Sequence, residues 1–166
     1  MPFTPFHFGP GLLVKGLAPR HVSLIAFVAT QVAVDLEPLY FIVRGAPHAH
    51  RWVHTVPVAG GIGLAVGLAV WAATRRHLAN QVPEVRSDLA LPAAIAGGLI
   101  GGVSHPLLDG LMHRDIHALR PFAETTWVLS PAGIAAVPWA CVAAGVVGVV
   151  LCSRCTSQPG CAETLL

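Results

Sequence analysis

The chain has 166 residues, 54% of them hydrophobic and only 11% charged, with a formal net charge of +2. This balance belongs to a membrane protein and excludes a soluble domain, whose polar surface could not be assembled from so few charges. A charge this small and dispersed also excludes nucleic acid as a partner, and the length suits a single domain.

The N-terminal stretch "MPFTPFHFGPGLLVKGLAPR" has a short apolar part with Lys15 inside it and no small-residue cleavage pattern after it, so it does not read as a secretory signal. It predicts a short helix from Pro10 to Ala18, ended by Pro19. Such a helix reaches only about 15 Å. It cannot cross a bilayer and is expected to be re-entrant or interfacial.

Beyond it, the runs His21 to Val43, Val53 to Ala73, Leu91 to Met112 and Pro131 to Cys152 each meet the length of about 20 apolar residues that a membrane helix needs. The expected fold is therefore all-α, an integral membrane bundle of four transmembrane helices plus the short N-terminal helix. Residues 1–152 form the one membrane-embedded domain, and 153–166, rich in Ser, Pro and Gly, form a flexible tail. Cys152, Cys155 and Cys161 have no second pair to complete a zinc site and read as free thiols.

Glycines recur at helical spacing in the later spans: Gly60, Gly61, Gly63 and Gly67, then Gly97, Gly98, Gly101 and Gly102, then Gly145 and Gly148. Small residues of this kind let helix backbones approach closely. Lys15, Arg20, Arg75, Arg76, Arg86 and Arg154 fall on one side of a four-crossing path, and Arg44, Arg51, Arg114 and Arg120 on the other. The excess on the first side favours cytoplasmic termini.

The polar exceptions are localised. Asp35 and Glu37 sit late in the first span, His50 and His54 in "HAHRWVHT" at the start of the second, and His105 and Asp109 late in the third. An up-down-up path brings all three places to one side, opposite the C-terminus. His50 and His54 are four apart, as are His105 and Asp109, and residues four apart share a helix face. Pro106 cannot donate to the carbonyl of Gly102, so a kink is expected beside His105. His7 can join them. If Arg20 marks the interface, Asp35 lies about 22 Å above it along a helix, and a re-entrant helix regains about 15 Å of that; a few extended residues cover the rest. Acidic groups within a membrane span are expensive and mark function.

The order of "TPFHF", "VDLEP", "HR" followed by "HT", and "SHPLLDGLMH" resembles the YdjM-like family of bacterial inner-membrane metal-dependent hydrolases, from about His7 to Phe122. The resemblance implies a metal site drawn from His7, Asp35, His50, His54, His105 and Asp109. The chain differs from the family's usual pattern in having Val34 before Asp35, in having Glu37 as the second acid, and in the four-residue spacing of His50 and His54. That spacing favours His50 and His54 over His48 as ligands.

Imidazole nitrogens mixed with carboxylate oxygens, without thiolate, suit a divalent transition metal ion, zinc first and manganese or iron as alternatives. A catalytic ion needs about three protein ligands and an open position, and it acidifies water and polarises an ester or phosphoryl oxygen. Glu37 or Asp35 would orient the imidazoles or take the water's proton. Arg51 would face a developing negative charge. A site near one membrane face points to an amphiphilic, lipid-like ester or phosphoester as substrate and to the bilayer as surroundings. The competing expectations are a transporter or an ion or proton pathway using the same Asp and His residues, and a haem held by paired histidines.

Overall fold

A computed structural model of the chain describes residues 5–46, 51–80 and 83–156. Among them every regular element is helical. A 3-10 turn at Pro5–His7 leads into α1 (Phe8–Leu17), followed by α2 (Leu24–Val43), α3 (Val56–Thr74), α4 (Pro83–Asp88), α5 (Leu91–Met112) and α6 (Pro131–Thr156). The helices α2, α3, α5 and α6 are each long and apolar enough to cross a membrane. The chain is an all-α bundle with the features of a membrane protein.

The element boundaries follow local chemistry. Ser23 caps α2, its hydroxyl accepting from Ala26 N at 3.1 Å, and Asp88 Oδ1 accepts from Leu24 N at 3.0 Å. Pro57 and Pro92 fall in the first turns of α3 and α5, where no intrahelical partner is lost. The N-terminal helix starts at Phe8, earlier than the expected Pro10, and α6 runs on to Thr156, past the expected boundary at Cys152. α5 passes through Pro106 as one helix.

The second span begins later than expected. Trp52–His54 form a separate 3-10 turn and α3 starts only at Val56, whose N–H donates to Ala118 O at 2.8 Å. His54 therefore precedes the helix, so the shared helix face expected for His50 and His54 does not exist at this place. His48 and His50 lie outside the described residues.

α5 is the centre of the bundle because it carries two faces of glycine. A Cβ on Gly97 would run into the Ser23 carbonyl, and one on Gly101 would meet Phe27 O of α2 at 3.0 Å. On the other face, Gly98 and Gly102 lie against the backbone of Gly63 and Ala59 in α3. Inside a bilayer lipid tails are as apolar as leucine, so close backbone packing is what holds helices together. Many of the large apolar side chains turn outward, among them Leu36, Leu64, Leu68, Val146 and Val150, as a lipid-facing surface requires.

α6 packs chiefly on α1 and joins the rest of the bundle through it. Gly9 sits on the Cys141 carbonyl, Gly16 on that of Gly148, and Gly11 faces the Phe27 ring. At the far end of α1, Lys15 Nζ donates to the carbonyls of Pro19 and Val22 and to Asp88 Oδ1, the last at 2.7 Å. α1 thus runs from the level of the late turns of α5 back to the level where α2 begins, the path of a re-entrant helix.

Candidate metal centre

Each polar side chain of the site is aimed by a neighbouring helix contact. His7 closes the turn before α1, which α6 and α2 hold between them. Asp35 faces inward from α2, His105 and Asp109 from consecutive turns of α5, and His54 from the turn ahead of α3. All five are buried. The α5 glycines set the short separations that let side chains from three directions converge.

Asp109 is the hub. Its Oδ1 lies 3.2 Å from His7 Nε2, while its Oδ2 lies 3.2 Å from His105 Nε2 and 3.5 Å from His54 Nε2. His105 Nε2 is also 3.2 Å from Asp35 Oδ1. The His105 ring sits 4.7 Å from that of His7 and 5.1 Å from that of His54, centre to centre.

Asp35, His54, His105 and Asp109 offer one donor atom each within 4.8 Å of one another. Ligands around one tetrahedral ion lie about 3.4 Å apart, given metal–ligand distances of about 2.0–2.2 Å. Small side-chain rotations would bring the four atoms onto a common centre. Two further facts fit a cation. Asp35 and Asp109 are only 7% and 5% exposed, and buried carboxylates need compensating charge. Both ring nitrogens of His7, and Nε2 of His105, are buried without a hydrogen-bond partner although carboxylate oxygens lie close by. Lone pairs gathered in this way are reconciled by a shared positive ion.

His7 meets the second oxygen of Asp109, so it joins the cluster through that carboxylate and stands outside the four-atom group. Glu37 lies at the rim. Its Oε2 accepts from the backbone N–H groups of Arg51 and Val53, each at 3.2 Å, and sits 3.8 Å from His54 Nδ1. Glu37 therefore pins the segment that delivers His54. The Arg51 guanidinium stacks 3.8 Å over the Phe41 ring, on the outer side of the same segment. His50, also expected as a ligand, lies outside the described residues.

Gln31 belongs to the site and was not among the expected residues. It is buried, its Oε1 faces His105 Nδ1 within hydrogen-bond distance, and its Nε2 donates to Gly101 O at 3.4 Å. Its position four residues before Asp35, on the same face of α2, is the signal that could have revealed it.

The chain matches no family model, no curated protein and no solved structure. What the site can do follows from its geometry: a buried group of two imidazoles and two carboxylates, able to hold a metal ion, set toward one end of an apolar helical bundle.

Proposed function

We propose that the protein is a membrane-embedded, metal-dependent hydrolase acting on a lipid-like ester or phosphoester at one face of a bacterial inner membrane. The observation that carries this reading is the convergence of Asp35, His54, His105 and Asp109 at one place inside the bundle. The order of motifs that resembles the YdjM-like family supports it from the sequence.

In this reading those four residues hold the ion, zinc before manganese or iron because nitrogen and oxygen donors are mixed. The ion supplies Lewis acidity and an activated water. His7 steadies Asp109 from its other oxygen. Glu37 orients His54 and anchors the backbone of Arg51. Arg51 is the cation placed by the chain beside His54, and swinging its guanidinium off Phe41 would bring it toward an anionic headgroup. A substrate whose tail stays in the bilayer suits a site at the end of membrane helices.

A transport path is the weaker reading, because the fully buried Phe27 stands on α2 between Ser23 and Thr30, filling the inward face between the Lys15–Asp88 joint and the cluster. The test is hydrolysis of chromogenic esters and phosphodiesters, and of phospholipid in mixed micelles, by protein purified in detergent. Turnover that a chelator abolishes and zinc restores, and that Asp35→Ala and His105→Ala lack, is expected. Zinc or proton flux in liposomes without turnover would replace the hydrolase with a transporter.

A further inference from the structure

We infer that Gln31 is the positioning residue that fixes which nitrogen of His105 faces the two carboxylates. The inference deepens the proposed function and rests on it for its consequence, since the value of a correctly turned imidazole lies in holding a metal ion.

The side chain of Gln31 bridges α2 and α5 beside a close approach of the two helices. A Cβ on Gly101 would meet Phe27 O at 3.0 Å and Thr30 Cβ at 3.3 Å, so the backbones are near enough for one amide to span them. Gln31 Nε2 donates to Gly101 O, a carbonyl one turn before His105 on α5. With the amide nitrogen committed there, Oε1 is the atom that faces His105 Nδ1. The flipped amide would set two acceptor oxygens against each other at Gly101. An amide oxygen accepts and cannot donate, so the Nδ1 of His105 must carry the hydrogen.

The consequence falls on the opposite side of the ring. A neutral imidazole with its hydrogen on Nδ1 presents a lone pair at Nε2, and that atom stands 3.2 Å from both Asp35 Oδ1 and Asp109 Oδ2. Three electron-pair donors then point into one space. Metal-binding histidines are held in this way by an acceptor on the ring's other nitrogen. Here the acceptor is an uncharged amide inside an apolar helix pair, which orients the ring without adding a third buried negative charge. Gln31 and Asp35 on α2, and His105 and Asp109 on α5, each four residues apart, form two facing pairs with the imidazole between them.

The test uses full-length protein in detergent, labelled with 15N-histidine, stripped of metal and taken to alkaline pH so that the His105 imidazole is neutral. Long-range nitrogen–proton correlations, assigned to His105 by their loss in His105→Asn, are expected to show the hydrogen on Nδ1. A zinc titration follows. Gln31→Met is expected to weaken zinc binding about 10–100-fold, while Gln31→Glu, which still accepts from Nδ1 but loses the donor to Gly101 O and buries a third acid, is expected to keep the hydrogen on Nδ1 and to unfold at a lower temperature. A hydrogen on Nε2 in the wild type, or unchanged zinc affinity in Gln31→Met, would overturn the inference. Should Gln31→Met fail to fold, the wild-type spectrum and Gln31→Glu still decide it. A wild-type protein with the hydrogen on Nδ1 but no zinc binding would sink the metal reading and leave the assignment of Gln31 standing.

Discussion

His7 Nε2 lies 3.2 Å from Asp109 Oδ1, so the first described turn of the chain closes a cluster otherwise built by α2, the turn before α3, and α5. The same carboxylate meets His54 and His105 with its other oxygen. Asp109→Asn keeps the shape of the side chain but exchanges an acceptor for a donor. Bound zinc, read by elemental analysis, should fall at least about tenfold. His7→Ala should cost less, because His7 meets only the outer oxygen. Equal losses in the two variants would mean that His7 is itself one of the ion's direct ligands.

The glycines of α3 should divide by what faces them. Gly63 lies against the Gly98 backbone, whereas nothing stands within 4 Å of a Cβ on Gly61. Gly63→Ala is expected to destabilise the bundle by about 1–3 kcal/mol through overpacking. Gly61→Ala should be neutral or stabilising by up to roughly 0.5–1 kcal/mol, since alanine loses less backbone freedom in a helix. Thermal unfolding in a single detergent compares the two, and similar melting temperatures would contradict the close α3–α5 approach.

At the other end of α1, Asp88 serves two helices. It accepts from Lys15 Nζ at 2.7 Å, from Leu24 N at 3.0 Å and from the Ser23 hydroxyl at 3.2 Å. Lys15→Met removes only the first of these, whereas Asp88→Ala also leaves the Leu24 N–H and the Ser23 hydroxyl at the start of α2 without their acceptor, a further loss of about 1 kcal/mol. Asp88→Ala should therefore unfold at the lower temperature. Both variants should also weaken zinc binding, because α1 carries His7; an unaffected zinc affinity would show that α1 keeps its place without this joint.

An ion bound by the folded chain alone stabilises it by mass action, by about 2.7 kcal/mol at a free concentration of 100 Kd. The melting temperature of the wild type should rise on adding zinc and drop with chelator. In His105→Ala the shift should vanish. A zinc-dependent rise that persists in this variant would place the binding elsewhere on the chain.

Much of this protein is legible in local sequence. Apolar runs long enough for a bilayer locate the four spans, since length and hydropathy are properties of a segment alone. The alternation of direction in such a bundle carries Asp35, His54, His105 and Asp109 to one end, and the four-residue step from His105 to Asp109 sets both on one face of α5. Other features depend on which surfaces meet. A histidine four residues from its neighbour means little where, as at His54, the helix has not yet begun. Glu37 holds the backbone of Arg51 and Val53 because of how the chain turns between α2 and α3. Gln31 stands one turn before Asp35, but its contact with His105, like the Lys15–Asp88 joint, links residues far apart in the chain, and no local spacing announces those partners. The tertiary structure decided these points through the glycine faces of α5 and α1: where a side chain is missing, backbones close to contact distance, and that approach determines which polar groups can touch.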